Sequence, residues 1–191
     1  MRLFVALEIP SAVRENLATL MTELNALEKQ SSGKKARWVR PENLHVTLKF
    51  IGETALDKLK GIVAALSTVR SGQPAELRFR GLGFFPNEKR PRVLWAGIAA
   101  SPNLAAIAGD IEQQLEPLGF PREKRDFTPH LTLARFNPPG LSETLRAAVR
   151  ENAERDFGAL GAGDFHLIES QLKPSGAEYT ALHSFPFAAE A

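Results

Sequence analysis

The chain has 191 residues, of which 43% are hydrophobic and 24% are charged, as in a globular protein of one large domain or two small lobes. It has no cysteine, which excludes disulfides and thiolate metal sites, and no apolar run of membrane-spanning length. The net charge of +2 permits a nucleotide or nucleic-acid partner without requiring one. Because Met1 to Phe4 leads directly into a strand pattern, we expect a cytoplasmic protein with no signal peptide and no membrane partner.

Apolar residues recur with helical spacing in some stretches and with strand alternation in others. The third predicted helix has clear ends, because Ser101 is a favourable N-cap, Pro102 takes the first helical position and Gly119 follows the last apolar residue. The near-continuous apolar run at 93–98 predicts a strand buried on both faces. Strands are predicted at residues 3–9, 44–51, 75–82, 93–98, 127–136, 164–170 and 178–185, helices at 12–28, 55–69, 102–118 and 142–154, and turns at 31–35 and 83–87.

Two copies of one short motif occupy two of these strands. The first is His45-Val46-Thr47-Leu48 and the second is His130-Leu131-Thr132-Leu133. Successive side chains of a strand point to opposite faces, so each copy places an imidazole and a hydroxyl on one face and two apolar anchors on the other. The order strand, helix, His strand recurs in each half of the chain. This predicts two similar lobes with one histidine on each side of a substrate, whereas half-buried structural histidines are the non-functional interpretation.

Two histidines and two hydroxyls suit the hydrolysis of a phosphodiester. One imidazole can accept a proton from water while the other gives a proton to a leaving oxygen. Threonine hydroxyls can donate hydrogen bonds to oxygens that gain negative charge. The sequence has no cysteine nucleophile, G-x-S-x-G elbow, H-E-x-x-H motif or Walker A loop. We therefore expect neither a metal ion nor a cofactor.

Longer blocks surround the motifs, at residues 2–7, 37–53, 91–97, 129–135 and 169–179. Together with the motifs they resemble the 2H phosphoesterase superfamily, and within it the RNA 2′,3′-cyclic phosphodiesterases, also called 2′-5′ RNA ligase-like proteins. The resemblance covers nearly the whole chain, and it implies one bilobal domain over residues 1–191. The implied fold is α+β, with two pseudo-symmetric lobes, each an antiparallel sheet with outer helices, flanking a central catalytic cleft.

The resemblance also implies an activity, the metal-independent hydrolysis of RNA 2′,3′-cyclic phosphate ends to 2′-phosphomonoesters. By analogy with the family, His45 is the general acid that protonates the leaving 3′-oxygen, and His130 is the general base that activates water. Thr47 and Thr132 would bind the phosphate oxygens. The residues of this sequence do not by themselves decide which histidine is the acid.

Two basic side chains that follow the motifs are candidates for phosphate binding. Arg135 resembles the family's phosphate-contacting basic residue, but it lies five positions after His130, so a regular strand would point it away from the site. A β-bulge or the end of the strand would re-aim it. Lys49 lies four positions after His45, on the His45 face of a regular strand. A solvated charge at a strand end is the alternative for both.

Other polar and aromatic residues allow a structural and a functional interpretation. The basic residues between 34 and 40 form either a solvated loop or a phosphate-steering patch. Phe84 and Phe85 are either core residues or a base-stacking pair. His166 and His183 lack a threonine two residues on, and a structural role is expected for both.

Three functions remain open from the sequence. The first is the cyclic phosphodiesterase, the second is an ATP-independent 2′-5′ RNA ligase that runs the reverse reaction at the same site, and the third is a non-catalytic RNA- or nucleotide-binding module. Binding alone would not require two histidines as an acid and base pair. The expected partner is RNA or an oligonucleotide with a 2′,3′-cyclic phosphate end, and the expected protein is a monomer.

Overall fold

A computed structural model describes residues 1–30, 36–137, 140–174 and 176–187 of the protein. The turn predicted at 31–35 lies outside these residues. In the described part of the chain, no helix is both long and apolar enough to cross a membrane. The elements are β1 (Arg2–Glu8), α1 (Ser11–Gln30), β2 (Arg37–Trp38), β3 (His45–Glu53), α2 (Leu59–Leu66), β4 (Ala75–Phe85), β5 (Val93–Ala100), α3 (Pro102–Leu115), β6 (His130–Arg135), α4 (Glu143–Glu151), β7 (Asp156–Ala162), β8 (Asp164–Lys173) and β9 (Gly176–Pro186).

The strands form two antiparallel sheets. Sheet I has four strands in the order β3-β1-β8-β9, and sheet II has five strands in the order β2-β6-β5-β4-β7. The first motif lies in β3 and the second in β6, so each sheet carries one motif at or next to its edge. The expected α+β fold with two antiparallel lobes is confirmed.

The two lobes do not correspond to the two halves of the chain, and this part of the expectation is wrong. Sheet I combines β1 and β3 from the start of the chain with β8 and β9 from its end. Strand β1 lies in the middle, with Phe4 opposite Phe50 of β3 and Ile168 of β8. The expectation failed because alternation identifies a strand without identifying its partner, which depends on contacts distant in sequence.

The repeat is a smaller unit than half of the chain. The unit β1-α1-β3 of sheet I has the same order as the unit β5-α3-β6 of sheet II. In both units the His strand pairs antiparallel with the first strand of the unit, although a helix intervenes and, in the first unit, the short strand β2 of sheet II lies between α1 and β3. This shared unit gives the two motifs the same relation to their partner strands, although β3 is the edge strand of sheet I and β6 lies one strand in from the edge of sheet II.

A single apolar cluster contains residues from both lobes. Helix α1 packs against α4 and β7, which belongs to sheet II, whereas α3 packs against β3 of sheet I. Leu17 of α1 and Ile111 of α3 have no exposed surface and belong to the same cluster. Each such side chain contributes roughly 1.5–3 kcal/mol through burial. The shared cluster therefore stabilises the two sheets as neighbours.

Strand β7 is absent from the sequence prediction. Its seven residues include two glycines, and Gly158 has a φ of 119°, so its composition favours a turn. In the structure β7 pairs with β4 and buries Phe157, which is 1% exposed. The pairing and the buried ring outweigh the weak local preference.

Two serines that precede helices form different hydrogen bonds. Ser142 caps α4 as a serine N-cap does, because its hydroxyl accepts a hydrogen bond from Leu145 N at 3.2 Å. Ser101 precedes α3, but its hydroxyl accepts from Glu76 N at 2.9 Å and contacts Asn103 Oδ1 at 2.5 Å. The predicted cap at Ser101 is therefore wrong, and the hydroxyl connects α3 to β4 instead.

Candidate active site

The first motif presents its polar side chains on one face of sheet I. Opposite residues on adjacent antiparallel strands share a face. His45 lies opposite Glu8, and Thr47 lies opposite Ala6, two alternate positions of β1. Val46 lies between them and is fully buried. His45 and Thr47 therefore share the face that is here named the open face of sheet I.

The second motif is arranged in the same way on sheet II. His130 lies opposite Gly97, and Thr132 lies opposite Trp95, again two alternate positions of β5. Leu131 between them is fully buried. His130 and Thr132 define the open face of sheet II.

Strand β5 is buried on one face only, so the expectation of burial on both faces is wrong. Leu94 and Ala96 have no exposed surface, whereas Val93, Trp95 and Gly97 are partly exposed. The apolar run was misleading because the open face is itself partly apolar, with Trp95 beside Thr132.

A β-bulge lies at the last residue of the first motif. Thr47 lies opposite Ala6 and Lys49 lies opposite Val5, so Leu48 is an extra residue with no opposite residue in β1. A bulge of this kind moves the next side chains to the face opposite to the one that regular alternation would give, here as far as the second irregularity between Phe50 and Gly52.

A β-bulge lies at the last residue of the second motif, at the same distance from the histidine. Thr132 lies opposite Trp95 and Ala134 lies opposite Leu94, so Leu133 is the extra residue. The two motifs therefore share both their hydroxyl position and the irregularity that comes after it.

The bulge in β6 places Arg135 on the open face of sheet II. Arg135 lies opposite Val93, in line with Trp95 and Gly97 on alternate positions of β5, and it is exposed. The odd spacing from His130, which in a regular strand would separate the two side chains, thus brings them to the same face.

The equivalent bulge in β3 turns Lys49 away from the open face. Lys49 is 3% exposed, forms an ion pair with Glu112 of α3 and donates a hydrogen bond to Pro121 O at 2.9 Å. The expectation that Lys49 shares the face of His45 is therefore wrong. It assumed a regular strand, and the alternation is broken at Leu48.

Phe50 is a residue of this face that the sequence reasoning missed. It lies opposite Phe4 on the open face of sheet I and is 58% exposed, which is unusual for so large an apolar side chain. The available signal was its spacing, because Phe50 lies five positions after His45 as Arg135 lies five positions after His130.

Both imidazoles form the same hydrogen bond. His45 Nδ1 lies 2.7 Å from Asn43 O, and His130 Nδ1 lies 2.8 Å from Thr128 O. A carbonyl oxygen only accepts, so Nδ1 carries the proton in both rings. In the neutral form each Nε2 then has a free lone pair, and in the protonated form each Nε2 has a proton to donate.

Aromatic rings surround His45. Its ring centroid lies 4.6 Å from that of Phe4 and 5.3 Å from that of Tyr179. Burial lowers the pKa of the His45 imidazole below its ordinary value, and the hydrogen bond to Asn43 O opposes this shift. Asn43 is itself anchored, because its side-chain amide donates to Ala177 O of β9 at 2.7 Å. The orientation of His45 thus depends on β9 as well as on β3.

A different aromatic set lies beside His130. Strand β4 continues beyond the predicted boundary to Phe85, and this brings the ring of Phe85 to 5.0 Å from that of His130, edge to face. Phe85 also lies 5.3 Å from Trp95. Phe84 instead packs against Phe136 at 6.3 Å on the core side. The two phenylalanines therefore have different surroundings and do not form a pair.

The two His strands are neighbours in the fold. Strand β3 packs against β6, and Val39 N, six residues before His45, donates to Leu133 O of β6 at 2.9 Å. His166 and His183 lie in sheet I on β8 and β9, where His166 Nε2 approaches Asp164 at 3.5 Å. Among the described residues, no group of three or more His, Cys, Asp or Glu could hold a metal ion.

Similarity to known proteins agrees with this architecture. The model of the family described as LigT like Phosphoesterase matches residues 7–95 and 98–179. A protein of Archaeoglobus fulgidus named RNA 2′,3′-cyclic phosphodiesterase is 39% identical to this chain, over 97% of this chain and 99% of that protein. A protein of the same name from Methanocaldococcus jannaschii is 35% identical, over 95% of this chain and 98% of that protein.

Solved structures show the same fold. The crystal structure of TT0787 of Thermus thermophilus is 31% identical, with a TM-score of 0.79 over 100% of both chains. E. coli LigT complexed with 3′-AMP is 25% identical, with a TM-score of 0.75 over 98% of both chains. Fold and site thus define a phosphoesterase with two antiparallel sheets. The chain belongs to the LigT-like phosphoesterase family.

Proposed function

We propose that the protein hydrolyses RNA 2′,3′-cyclic phosphate ends to 2′-phosphomonoesters, without a metal ion, with His45 and His130 as acid and base. The observation that carries this proposal is that both imidazoles, on equivalent strands of two sheets, have Nδ1 bound to a backbone carbonyl and Nε2 left for chemistry. The names of the relatives support the same activity and the same substrate.

In this mechanism His130 Nε2 accepts a proton from water as the water oxygen attacks phosphorus. The bond from phosphorus to O3′ breaks, and the leaving oxygen takes the proton from His45 Nε2. The products are a 2′-phosphomonoester and a free 3′-hydroxyl. His130 ends protonated and His45 ends neutral, and exchange with solvent restores both.

The lowered pKa of His45 supports its assignment as the acid. An imidazole with a lowered pKa is a stronger acid once it is protonated, so it transfers its proton more readily. The anionic phosphate beside it stabilises the imidazolium and raises the pKa of His45 when substrate binds. Binding and protonation of His45 are therefore coupled.

The remaining residues of the two open faces bind the substrate. Thr47 and Thr132 donate hydrogen bonds to the phosphate oxygens, and Arg135 supplies a charge-assisted contact. Phe50 stacks on the base of the terminal nucleotide, since base–aromatic stacking is worth roughly 1–3 kcal/mol and tolerates any base. Lys49 has no role in this set.

The two alternative functions differ in what they require. Ligation in the 2′-5′ direction would use the same two imidazoles in reverse, so it is tested beside hydrolysis. A binding module would not require the same Nδ1 hydrogen bond at both histidines. A cytoplasmic monomer with RNA as its partner remains part of this proposal.

The test is an assay of an oligoribonucleotide with a 2′,3′-cyclic phosphate end, in EDTA. Chromatography against 2′- and 3′-phosphate standards identifies the product, and a 5′-hydroxyl oligonucleotide in the same mixture reports ligation. The variant carrying both His45→Ala and His130→Ala, purified in parallel, controls for contaminating nucleases. Absence of turnover, or turnover only with a divalent ion, would overturn the proposal.

A further inference from the structure

Two arginines lie directly opposite each other at the edge of sheet II. Arg37 of β2 is the antiparallel partner of Arg135 of β6. Opposite residues share a face and have Cβ atoms roughly 5 Å apart. Arg37 therefore stands on the open face of sheet II, one strand farther from His130 than Arg135 does.

Neither guanidinium is neutralised within the described part of the protein. Both residues are exposed, and in the described ranges neither forms an ion pair with a carboxylate. By contrast, the nearby Arg40 pairs with Glu42 at 2.5 Å. Like charges placed directly opposite each other destabilise a sheet, so an anionic ligand is the natural counterpart of this arginine pair.

The backbone that carries Arg37 is held on both sides. The buried carboxylate of Glu28 accepts hydrogen bonds from Ala36 N at 2.6 Å and from Trp38 Nε1 at 2.9 Å. A buried carboxylate so placed holds Arg37 on a rigid strand rather than on a solvated loop. Such an arrangement reduces the entropy lost when a ligand binds.

The charge of the reacting group decides how many arginines it requires. A cyclic phosphate carries one negative charge, which the positive charge of Arg135 alone already balances. A second guanidinium, placed one strand farther out, matches a second phosphate. In an oligonucleotide that phosphate is the diester that joins the terminal nucleotide to its 5′ neighbour.

We infer that Arg37 binds the phosphodiester immediately 5′ of the terminal nucleotide, so that the enzyme prefers oligonucleotide ends over cyclic mononucleotides. This inference rests on the proposed function. It makes Arg37 a residue that determines substrate specificity, and it interprets the basic residues between 34 and 40 as a phosphate contact at Arg37; Lys34 and Lys35 lie outside the described residues.

Three substrates test the inference. They are a nucleoside 2′,3′-cyclic phosphate, a dinucleotide with a cyclic end and a normal linking phosphate, and the same dinucleotide with an uncharged methylphosphonate link. Wild type is compared with Arg37→Gln, which keeps most of the side-chain stem. Lys60→Ala, which removes one exposed positive charge from α2, is the matched control.

Wild type should use the charged dinucleotide roughly tenfold better, in kcat/KM, than the methylphosphonate form, the size of one exposed charge-assisted contact. In Arg37→Gln the two dinucleotides should have equal kcat/KM, whereas Lys60→Ala should keep the wild-type ratio. The slope of log kcat/KM against log salt for the charged dinucleotide should decrease by about 0.7 in Arg37→Gln.

The outcomes separate this inference from the proposed function. If wild type hydrolyses all three substrates with one kcat/KM, or if Arg37→Gln lowers all three by the same factor, Arg37 does not contact a second phosphate and the inference is wrong. If wild type hydrolyses none of them, the proposed function itself has failed.

Discussion

The His strands β3 and β6 have the same backbone plan and different side chains at the positions after the bulge. On the open face, five positions after the histidine, β3 has the exposed ring of Phe50 and β6 has the guanidinium of Arg135. On the buried face, one position earlier, β3 has Lys49 and β6 has Ala134. A repeated scaffold thus fixes where groups stand, while sequence divergence decides that one sheet offers an aromatic surface and the other a charge.

The two histidines also differ in their surroundings, although their Nδ1 hydrogen bonds match. His45 lies among Phe4 and Tyr179 and is desolvated enough to lower its pKa. His130 has Phe85 edge-on at 5.0 Å. The site is thus symmetric in its Nδ1 hydrogen bonds and asymmetric in the aromatic rings that pack against each imidazole.

The strongest effect should come from the histidines, and it tests whether the two strands are equal partners. His45→Ala and His130→Ala should each lower kcat by roughly 10²–10⁴, because each removes one half of an acid and base pair. Single-turnover rates on a cyclic-ended oligonucleotide measure this. Both variants should keep the wild-type melting temperature, since the apolar anchors of β3 and β6 are intact.

The control for the histidine variants is His183→Gln, which changes an imidazole on β9 of sheet I outside both motifs. It should retain wild-type kcat. A His45 or His130 variant that keeps full activity would show that the strands are not catalytic partners.

The next prediction concerns the buried position after the bulge. Lys49→Met leaves the Glu112 carboxylate without its cation, and the free energy of unfolding should fall by about 3 kcal/mol. Urea titration measures the change, and adding Glu112→Met should recover most of it because the unpaired charge is removed. Activity per folded molecule should stay at the wild-type level. A phosphate-binding role for Lys49 would instead appear as lost activity in the double variant.

The exposed residues after the bulges, Arg135 and Phe50, should affect ligand binding and not stability. Arg135→Ala should weaken binding of a 2′-phosphate product by roughly 10–100-fold, as expected for the loss of a charge-assisted contact, with little change in stability.

Phe50→Ala should raise KM for a base-bearing substrate and leave the affinity for sulfate unchanged, because a ring contacts the base and not the phosphate. Isothermal titration compares the product with sulfate. Equal losses for both ligands in Phe50→Ala would contradict the division of roles.

The smallest predicted effect is that of His45 on the pH dependence of anion binding. Burial lowers the pKa of His45, so its imidazole is mostly neutral in the free protein at neutral pH. A bound anion favours the imidazolium and raises this pKa, so binding takes up a proton and tightens as the pH falls. Sulfate is a suitable probe because it does not titrate in this range. Titrations between about pH 8 and pH 6, either side of the ordinary His value, in buffers of different ionisation enthalpy, should show proton uptake that decreases in His45→Gln. Uptake unchanged in that variant would assign the effect to another group.

Local periodicity and residue chemistry, both visible in a single chain, were enough to locate most strands and helices and the two motifs, whereas the α+β class of the fold was expected from the resemblance to a known family. The equal spacing of Phe50 and Arg135 from their histidines was visible too, but not that it places both residues on the open faces. Periodicity could not show that β7 is a strand, because its glycines favour a turn until β4 pairs with it.

The face that each residue after the motifs occupies depends on how the strands pair in three dimensions. Strand alternation assumes that every residue has an opposite partner, whereas Leu48 and Leu133 have none in β1 and β5. A bulge is a property of two paired strands, so the sequence of one strand does not reveal it. For the same reason only the pairing of β2 with β6 placed Arg37 opposite Arg135, and only the ion pair with Glu112 of α3 showed that Lys49 is a buried structural charge.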